Sequence, residues 1–349
     1  MRAHPTAAET PARFCYQISS QQLLYLPSPM SLVKRQKFEE ENHDDTSYEA
    51  LVFEGHEGPV ITAKFSGDGK FVASGGLDRQ ILLWVLPNEA IETETEASIG
   101  SISGHKNGIT SLMWSSDDSH LYSASADSTL ALWDLKTGKK LLKFQGHKSV
   151  VNQLDLSSQM ASVGDDGRCL IWDPRSKHPV ASIETNYPLT SVVVTENRVY
   201  FSGIDPTIYA YDLRHTEKSI WEETVHEDTV TSLSLNESTL FSSSQDGTLR
   251  SYDAQSFVAQ GISRVKPEIY ADLDVGTDNF LLRSTVNRAG DRLFCGSADK
   301  TVTVWDVHSS RIVSKLASQS GTIIDVDLHP TENILLSTSV DGTIVIREY

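Results

Sequence analysis

Cysteine is scarce: only Cys15, Cys169 and Cys295 occur in 349 residues. The number is odd and the three are scattered, with no metal-ligand spacing, so neither a disulfide framework nor a zinc site is expected. The pattern reads as reduced thiols inside a cell. Long apolar runs are also lacking. None approaches the roughly 20 residues of a membrane-spanning helix, and the short stretch Leu23 to Leu26 is interrupted by Pro27 and Pro29, which makes it a poor export signal. Positive charge is in deficit as well, 30 Lys and Arg against 47 Asp and Glu, for a net charge of −17. A surface with that excess repels phosphate and argues against sequence-independent binding of nucleic acid. No phosphate-cradling glycine loop, HExxH pattern or nucleophile elbow appears, so no catalytic, cofactor or metal site is expected.

A repeat dominates what is there. Seven times an Asp precedes by six residues an aromatic or equivalent position: Asp78 and Trp84, Asp127 and Trp133, Asp166 and Trp172, Asp205 and Tyr211, Asp246 and Tyr252, Asp299 and Trp305, Asp341 and Arg347. Successive Asp positions are 49, 39, 39, 41, 53 and 42 residues apart. Between the members of a pair the residues alternate as in a strand, for example Thr301, Val302, Thr303, Val304. Asp-Gly turns at Asp166, Asp246 and Asp341 mark hairpins. Each unit reads as a small antiparallel meander.

Gly-His pairs open units at His56, His105 and His147, with His226 alone in the fifth, and Trp-Asp closes three units at Trp133, Trp172 and Trp305. These features resemble the WD40 repeat across residues 51 to 349. The resemblance implies an all-β, seven-bladed propeller. It also implies that His, Ser, Asp and Trp form a buried hydrogen-bonded group in a blade. Three units supply all four: His56, Ser74, Asp78, Trp84; His105, Ser123, Asp127, Trp133; and His147, Ser162, Asp166, Trp172. In the fifth, Tyr252 takes the Trp position beside His226, Ser242 and Asp246. Such groups mimic a nucleophilic triad, but a catalytic site needs one constellation in one concave place, so the recurring set is expected to be structural. Asp117-Asp118 and Asp165-Asp166 are likewise expected to be turn residues.

The last unit stops after its third strand, and Leu51, Val52, Phe53 precede the first Gly-His with no blade of their own. They are expected to supply the missing strand and close the ring. Residues 1–49 are expected to form a flexible extension and residues 50–349 the propeller. Within the extension, the basic Lys34, Arg35 and Lys37 before Glu39, Glu40 and Glu41 read as a solvated charge run. The residues preceding the repeat Asp, namely Leu77, Ala126, Asp165, Ile204, Gln245, Ala298 and Val340, are expected at turn tips on a partner-binding face, since five of the seven are apolar. Two long connections, an acidic one around Glu89 to Glu96 and one from Ala254 to Asn279, are candidate functional loops.

Within WD40 proteins, the stretches Phe53-Glu54-Gly55-His56-Glu57-Gly58, Asp78-Arg79-Gln80-Ile81-Leu82-Leu83-Trp84, Gly203-Ile204-Asp205, Asn279-Phe280-Leu281-Leu282-Arg283 and Gly296-Ser297-Ala298-Asp299 resemble the forty-kilodalton components of the U5 small nuclear ribonucleoprotein. That likeness implies a nuclear, non-catalytic scaffold in pre-mRNA splicing, held against the large central U5 scaffold protein and other spliceosome subunits. RNA would be contacted only indirectly through the particle, with no cofactor, membrane or small-molecule substrate. The sequence departs from the pattern at Tyr211, Tyr252 and Arg347, and its fourth and sixth units lack the opening Gly-His. A substrate receptor of a ubiquitin ligase or a chromatin-complex subunit is the alternative reading.

Overall fold

The structure is a computed structural model and describes residues 32–39, 47–86, 98–224, 226–254, 267–317 and 319–349. The described residues fold into strands joined by turns, with no helix among them, and the strands form seven antiparallel sheets. Blade 1 runs from the channel outwards as Val60–Phe65, Phe71–Gly76, Gln80–Val85 and Ser98–Ser103. Blades 2 to 6 repeat this meander, beginning at Ile109, Val151, Leu189, Val230 and Ser284.

The apolar residues of the repeat explain why these sheets stand in a circle. A blade covers both of its faces with neighbours, so its strands carry near-continuous rather than alternating buried residues. In Gln80–Val85, four consecutive residues are buried. Seven clusters of buried side chains result, each between adjacent blades. One joins Ala73, Ile81 and Leu83 of blade 1 to Leu112, Leu121 and Trp133 of blade 2. Equivalent clusters continue round the ring to the contact of Phe294, Val302 and Val304 in blade 6 with Ile323, Val326 and Leu335 in blade 7. The inner strands of six blades bear a register shift near their start, as between Val60 and Thr62 or Ile109 and Ser111. Such a bulge strengthens the local twist.

Ring closure occurs as the sequence led us to expect. Ile323–Leu328, Ile334–Ser339 and Thr343–Glu348 form three strands of blade 7, and Ser47–Glu54 adds the fourth, with Leu51 opposite Ile346 and Phe53 opposite Ile344. The seventh cluster, Val33, Phe53, Trp84, Leu336 and Ile344 among others, seals blade 7 against blade 1.

The expected boundary at residue 49/50 needs correction. Leu32–Glu39 forms a fifth strand on blade 7, paired with Ser47–Glu54 along its whole length. The basic run therefore lies in a strand. Lys34 reaches Glu54 at 3.0 Å and Arg35 reaches Glu49 at 2.9 Å, while Val33 is fully buried. Val33 supplies the anchor, because the strand needs a buried side chain only where it faces the blade 1 interface. Residues 1–31 lie outside the described residues.

The centre of the ring is braced. Arg283, just before the inner strand of blade 6, donates through one guanidinium nitrogen to the carbonyls of Thr110 in blade 2 (2.7 Å) and Asn152 in blade 3 (3.1 Å). Its other nitrogen reaches Asp325 of blade 7 at 3.4 Å. Asp325 also accepts from Thr62 (2.8 Å) and Lys64 (3.1 Å) of blade 1.

Candidate functional site

The repeat Asp organises one face of the ring. In blades 1, 2, 5, 6 and 7 its carboxylate accepts the backbone N–H two residues on, as Asp78 does from Gln80 at 3.1 Å. This Asx-type turn fixes the hairpin between the second and third strands. The residue before the Asp bonds the loop that enters the same blade in all seven cases: Leu77 N–H to Pro59, Ala126 to Gly108, Asp165 to Val150, Ile204 to Pro188, Gln245 to Thr229, Ala298 to Asp274 and Val340 to Thr322, at 2.9 to 3.1 Å. The seven positions are thus equivalent and lie on one face.

Their exposure differs. Leu77 is 52% and Ile204 49% exposed, both large apolar side chains in water. Asp165 is exposed and donates no cover, its carboxylate accepting from Asn152 at 2.7 Å. Ala126, Gln245, Ala298 and Val340 are half-buried. Gln245 donates to the Phe280 carbonyl at 2.7 Å, and Val340 packs on Gly321. The apolar character expected around the whole ring is therefore concentrated at Leu77 and Ile204. Tyr187, 54% exposed in the loop that bonds Ile204, extends the second spot and was missed. The signal was the Thr185-Asn186-Tyr187-Pro188 stretch that stands where other blades carry Gly-His.

Below these turns His, Ser, Asp and Trp side chains meet in hydrogen-bonded groups. In blade 3 the Trp172 Nε1–H donates to Ser162 Oγ (2.8 Å), Ser162 lies 2.7 Å from His147 Nε2, and His147 Nδ1 lies 2.9 Å from Asp166. Blade 1 joins Trp84, Ser74, His56 and Asp78 at 2.8 Å throughout, and blade 2 joins Trp133, Ser123, His105 and Asp127 at 2.8 to 3.1 Å. Tryptophan can only donate and an ionised carboxylate can only accept, so the proton order is fixed: the serine donates to Nε2 and Nδ1–H donates to the aspartate. Burial alone would raise the Asp127 carboxyl, but the Lys106 amide, the Thr129 hydroxyl and His105 outweigh it and bring it down to about 2. Burial keeps His105 below the usual imidazole range despite Asp127 beside it. The serines are fully buried. A sealed hydroxyl cannot attack a substrate, so these groups lock loop to sheet.

The other blades reach the same end with different residues. In blade 5, His226 bonds Asp246 (2.9 Å) and Ser242 (2.7 Å), while the Tyr252 hydroxyl stays 3.5 Å from Ser242. In blade 4 the Tyr209 hydroxyl donates to Asp205 at 2.9 Å. In blade 6 Lys315 pairs with Asp299 at 2.8 Å and Trp305 donates to the Ala271 carbonyl. In blade 7 Gln319 accepts from Ser337 and donates to Thr343. The blade 5 set is the one the sequence offers; Gln319 stands at the histidine position, 22 residues before Asp341 as His56 is before Asp78, whereas Tyr209 and Lys315 lie off that position and carry no signal in the repeat.

The remaining candidates resolve simply. Asp117 accepts from Ser115 and Ser119 within its own turn, and Asp118 accepts the Gly67 and Asp68 amides of blade 1, so this pair staples turns together. The acidic connection at 87–97, residues 255–266 of the long one, and Cys15 lie outside the described residues. Cys169 and Cys295 are free and fully buried, and burial pushes both thiols up.

The model of the family described as WD domain, G-beta repeat matches residues 48–85, 96–134, 138–173, 217–253, 282–306 and 310–347. Among curated proteins, the pre-mRNA-splicing factor cwf17 of Schizosaccharomyces pombe is 35% identical over 303 residues, covering 84% of this chain and 86% of that protein. The U5 small nuclear ribonucleoprotein 40 kDa proteins of Dictyostelium discoideum and Homo sapiens are 31% and 34% identical, covering 84% and 85% of this chain and 82% and 83% of theirs. The inner three strands of blade 4 fall outside every family match. That blade has neither the opening histidine nor the tryptophan.

Proposed function

Because this chain belongs to the WD40-repeat family, we propose that it is a non-catalytic protein-interaction scaffold of the pre-mRNA splicing machinery. One observation carries the reading: the likeness to proteins named for splicing and for the U5 particle runs along about 84% of the chain, rather than over a repeat or two. The fold alone would not give this, since propellers of one architecture serve many complexes. The finer reading places the chain in the nucleus within the U5 particle, against its large central scaffold protein, with RNA reached only through the particle.

Residues 50–349, with the strand Leu32–Glu39 added, act as one rigid unit that displays its loops. The face bearing Leu77, Ile204 and Tyr187, with Ala126, Asp165, Gln245, Ala298 and Val340 around them, is the contact surface. Large apolar side chains held in water by rigid turns suit a protein partner, and the net charge of −17 disfavours bare nucleic acid.

Affinity purification of the tagged chain from nuclear extract tests this. U5 proteins should dominate the recovered set, and U5 RNA should be lost when the large scaffold protein is depleted. Recovery of ubiquitin-ligase or chromatin subunits without U5 components would overturn it.

A further inference from the structure

The face opposite the exposed turns opens into a chamber of about 510 Å³ at the ring's centre. Met113, Trp114, Leu235 and Leu328, near the turns between first and second strands, lend it apolar wall. Trp114 is fixed there by its Nε1 donating to the Lys64 carbonyl at 2.9 Å. Charged residues from five blades line it, namely Lys64, Asp118, Asp155, Arg283, Asp325 and Asp327.

The charges do not balance. Both cations are engaged: Lys64 with Asp325 at 3.1 Å and Asp327 at 3.7 Å, Arg283 with Asp325 and two carbonyls. Asp325 is thereby neutralised twice. Asp327 has the longer Lys64 contact and the Phe65 and Leu328 amides. Asp155 has no ion pair among the described residues; its carboxylate accepts the Val194 amide at 2.7 Å. Four carboxylates, Asp118 held by the Gly67 and Asp68 amides among them, thus face two cations that already have partners, which leaves no site for an anion and a surplus of negative charge in a polar, partly desolvated chamber. Burial pushes the Asp155 carboxyl up to about 6 and the Asp327 carboxyl above its ordinary range, and the attraction of Lys64 does not offset it. A bare metal ion does not fit, because no three His, Cys, Asp or Glu among the described residues are placed to hold one.

We propose that this chamber receives the cationic side chain of an arginine or lysine from a partner's peptide segment, its charge meeting Asp155 and Asp327 and its aliphatic stem lying along the apolar wall. The partner enters from the face opposite Leu77 and Ile204, so the ring can hold two partners at once, and the proposal stands apart from which protein the turn face binds. Arginine is the better guest, since its planar fork can bond two carboxylates.

Calorimetric titration of the full chain with a blocked Gly-Gly-Arg-Gly-Gly peptide tests this, against the same peptide carrying citrulline, the neutral isostere of arginine. Free butylguanidinium serves as the third probe and separates a peptide from a small amine as the source of the cation. Saturable binding of the arginine peptide, weakened about tenfold or more by Asp155→Asn with Asp327→Asn and absent for the citrulline peptide, is expected. Butylguanidinium should bind more weakly than the peptide. Equal binding of arginine and citrulline peptides, no binding of the arginine peptide at about 1 mM, or unchanged affinity in a folded double variant would overturn the proposal. Tighter binding of butylguanidinium than of the peptide would overturn the peptide as its source.

Discussion

Val33 and Phe53 pair across the hairpin at the ring's seam, and both side chains are buried against Trp84 of blade 1. The Phe53 and Trp84 rings meet edge to face at 5.2 Å. The seam is therefore sealed by Leu32–Glu39, the strand outside the closing one. Val33→Asp should lower stability by about 3 kcal/mol, because it places a charge in an apolar cluster with no partner. Arg35→Ala, which breaks only a surface ion pair, should cost well under about 1 kcal/mol. Urea unfolding of the two variants checks the contrast; equal midpoints would mean that the strand adds nothing. Deleting residues 50–55 removes the closing strand itself and should lower the melting temperature of the whole ring.

Leu77→Asp with Ile204→Asp should abolish or strongly weaken capture of the partner on the turn face while leaving the thermal transition in place. Both side chains are half in water already, so folding loses little. Pull-down from nuclear extract beside a melting curve reads both effects, and full capture by the double variant would refute the assigned face.

Ser162 joins a donor that has no other partner, Trp172 Nε1, to an imidazole acceptor, His147 Nε2. Ser162→Ala should therefore cost about 2 kcal/mol, the penalty of two buried groups left unpaired rather than of one hydrogen bond lost. Tyr252→Phe in blade 5 should cost less, since its contact to Ser242 is already 3.5 Å. Chemical denaturation of the two single variants compares them directly.

Asp155 gives a pH test with a definite sign. Its folded carboxyl titrates at about 6, above the roughly 3.9 of an unfolded aspartate. The folded state thus holds the proton more tightly. The cost of the charge is absent below about pH 4, grows as pH rises through 6 and is then constant, reaching about 3 kcal/mol. Asp155→Asn should therefore stabilise the chain at pH 8 and lose that advantage near pH 4. Asp127 runs the other way, held down to about 2, so its contribution is present at neutral pH and fades as pH falls below about 4. Denaturation midpoints of wild type and Asp155→Asn across this range would contradict the account if the gap did not narrow in acid.

The sequence made blades legible because the chemistry of a blade is local. Asp127 and Trp133 are six residues apart, and His105 and Ser123 close their group from within about one repeat. Departures were harder. Tyr209 and Lys315 take over parts of the histidine's work from other places in the blade, so no fixed spacing betrays them, and Gln319 stands at the histidine position but is a residue type the pattern does not flag. The strand at Leu32–Glu39 reads as a solvated charge run until its partner strand is known. Arg283 was quoted only as part of a likeness, yet its contact to Thr110 spans 173 residues, and no local pattern reports on a bond across the ring. The turn face was half legible: position followed from the repeat Asp, whereas exposure depended on what neighbouring loops covered.

A blade built from both ends of the described chain also sets the order of assembly. The hydrogen bonds between Leu51 and Ile346 cannot form until some three hundred intervening residues have been synthesised. The earlier meanders can form as they leave the ribosome, but the first of them stays uncovered on the side that the seventh will occupy. Until that seam pairs, the open flank of the first blade is an apolar face in water, and the unsealed ring is the stage most exposed to misassociation.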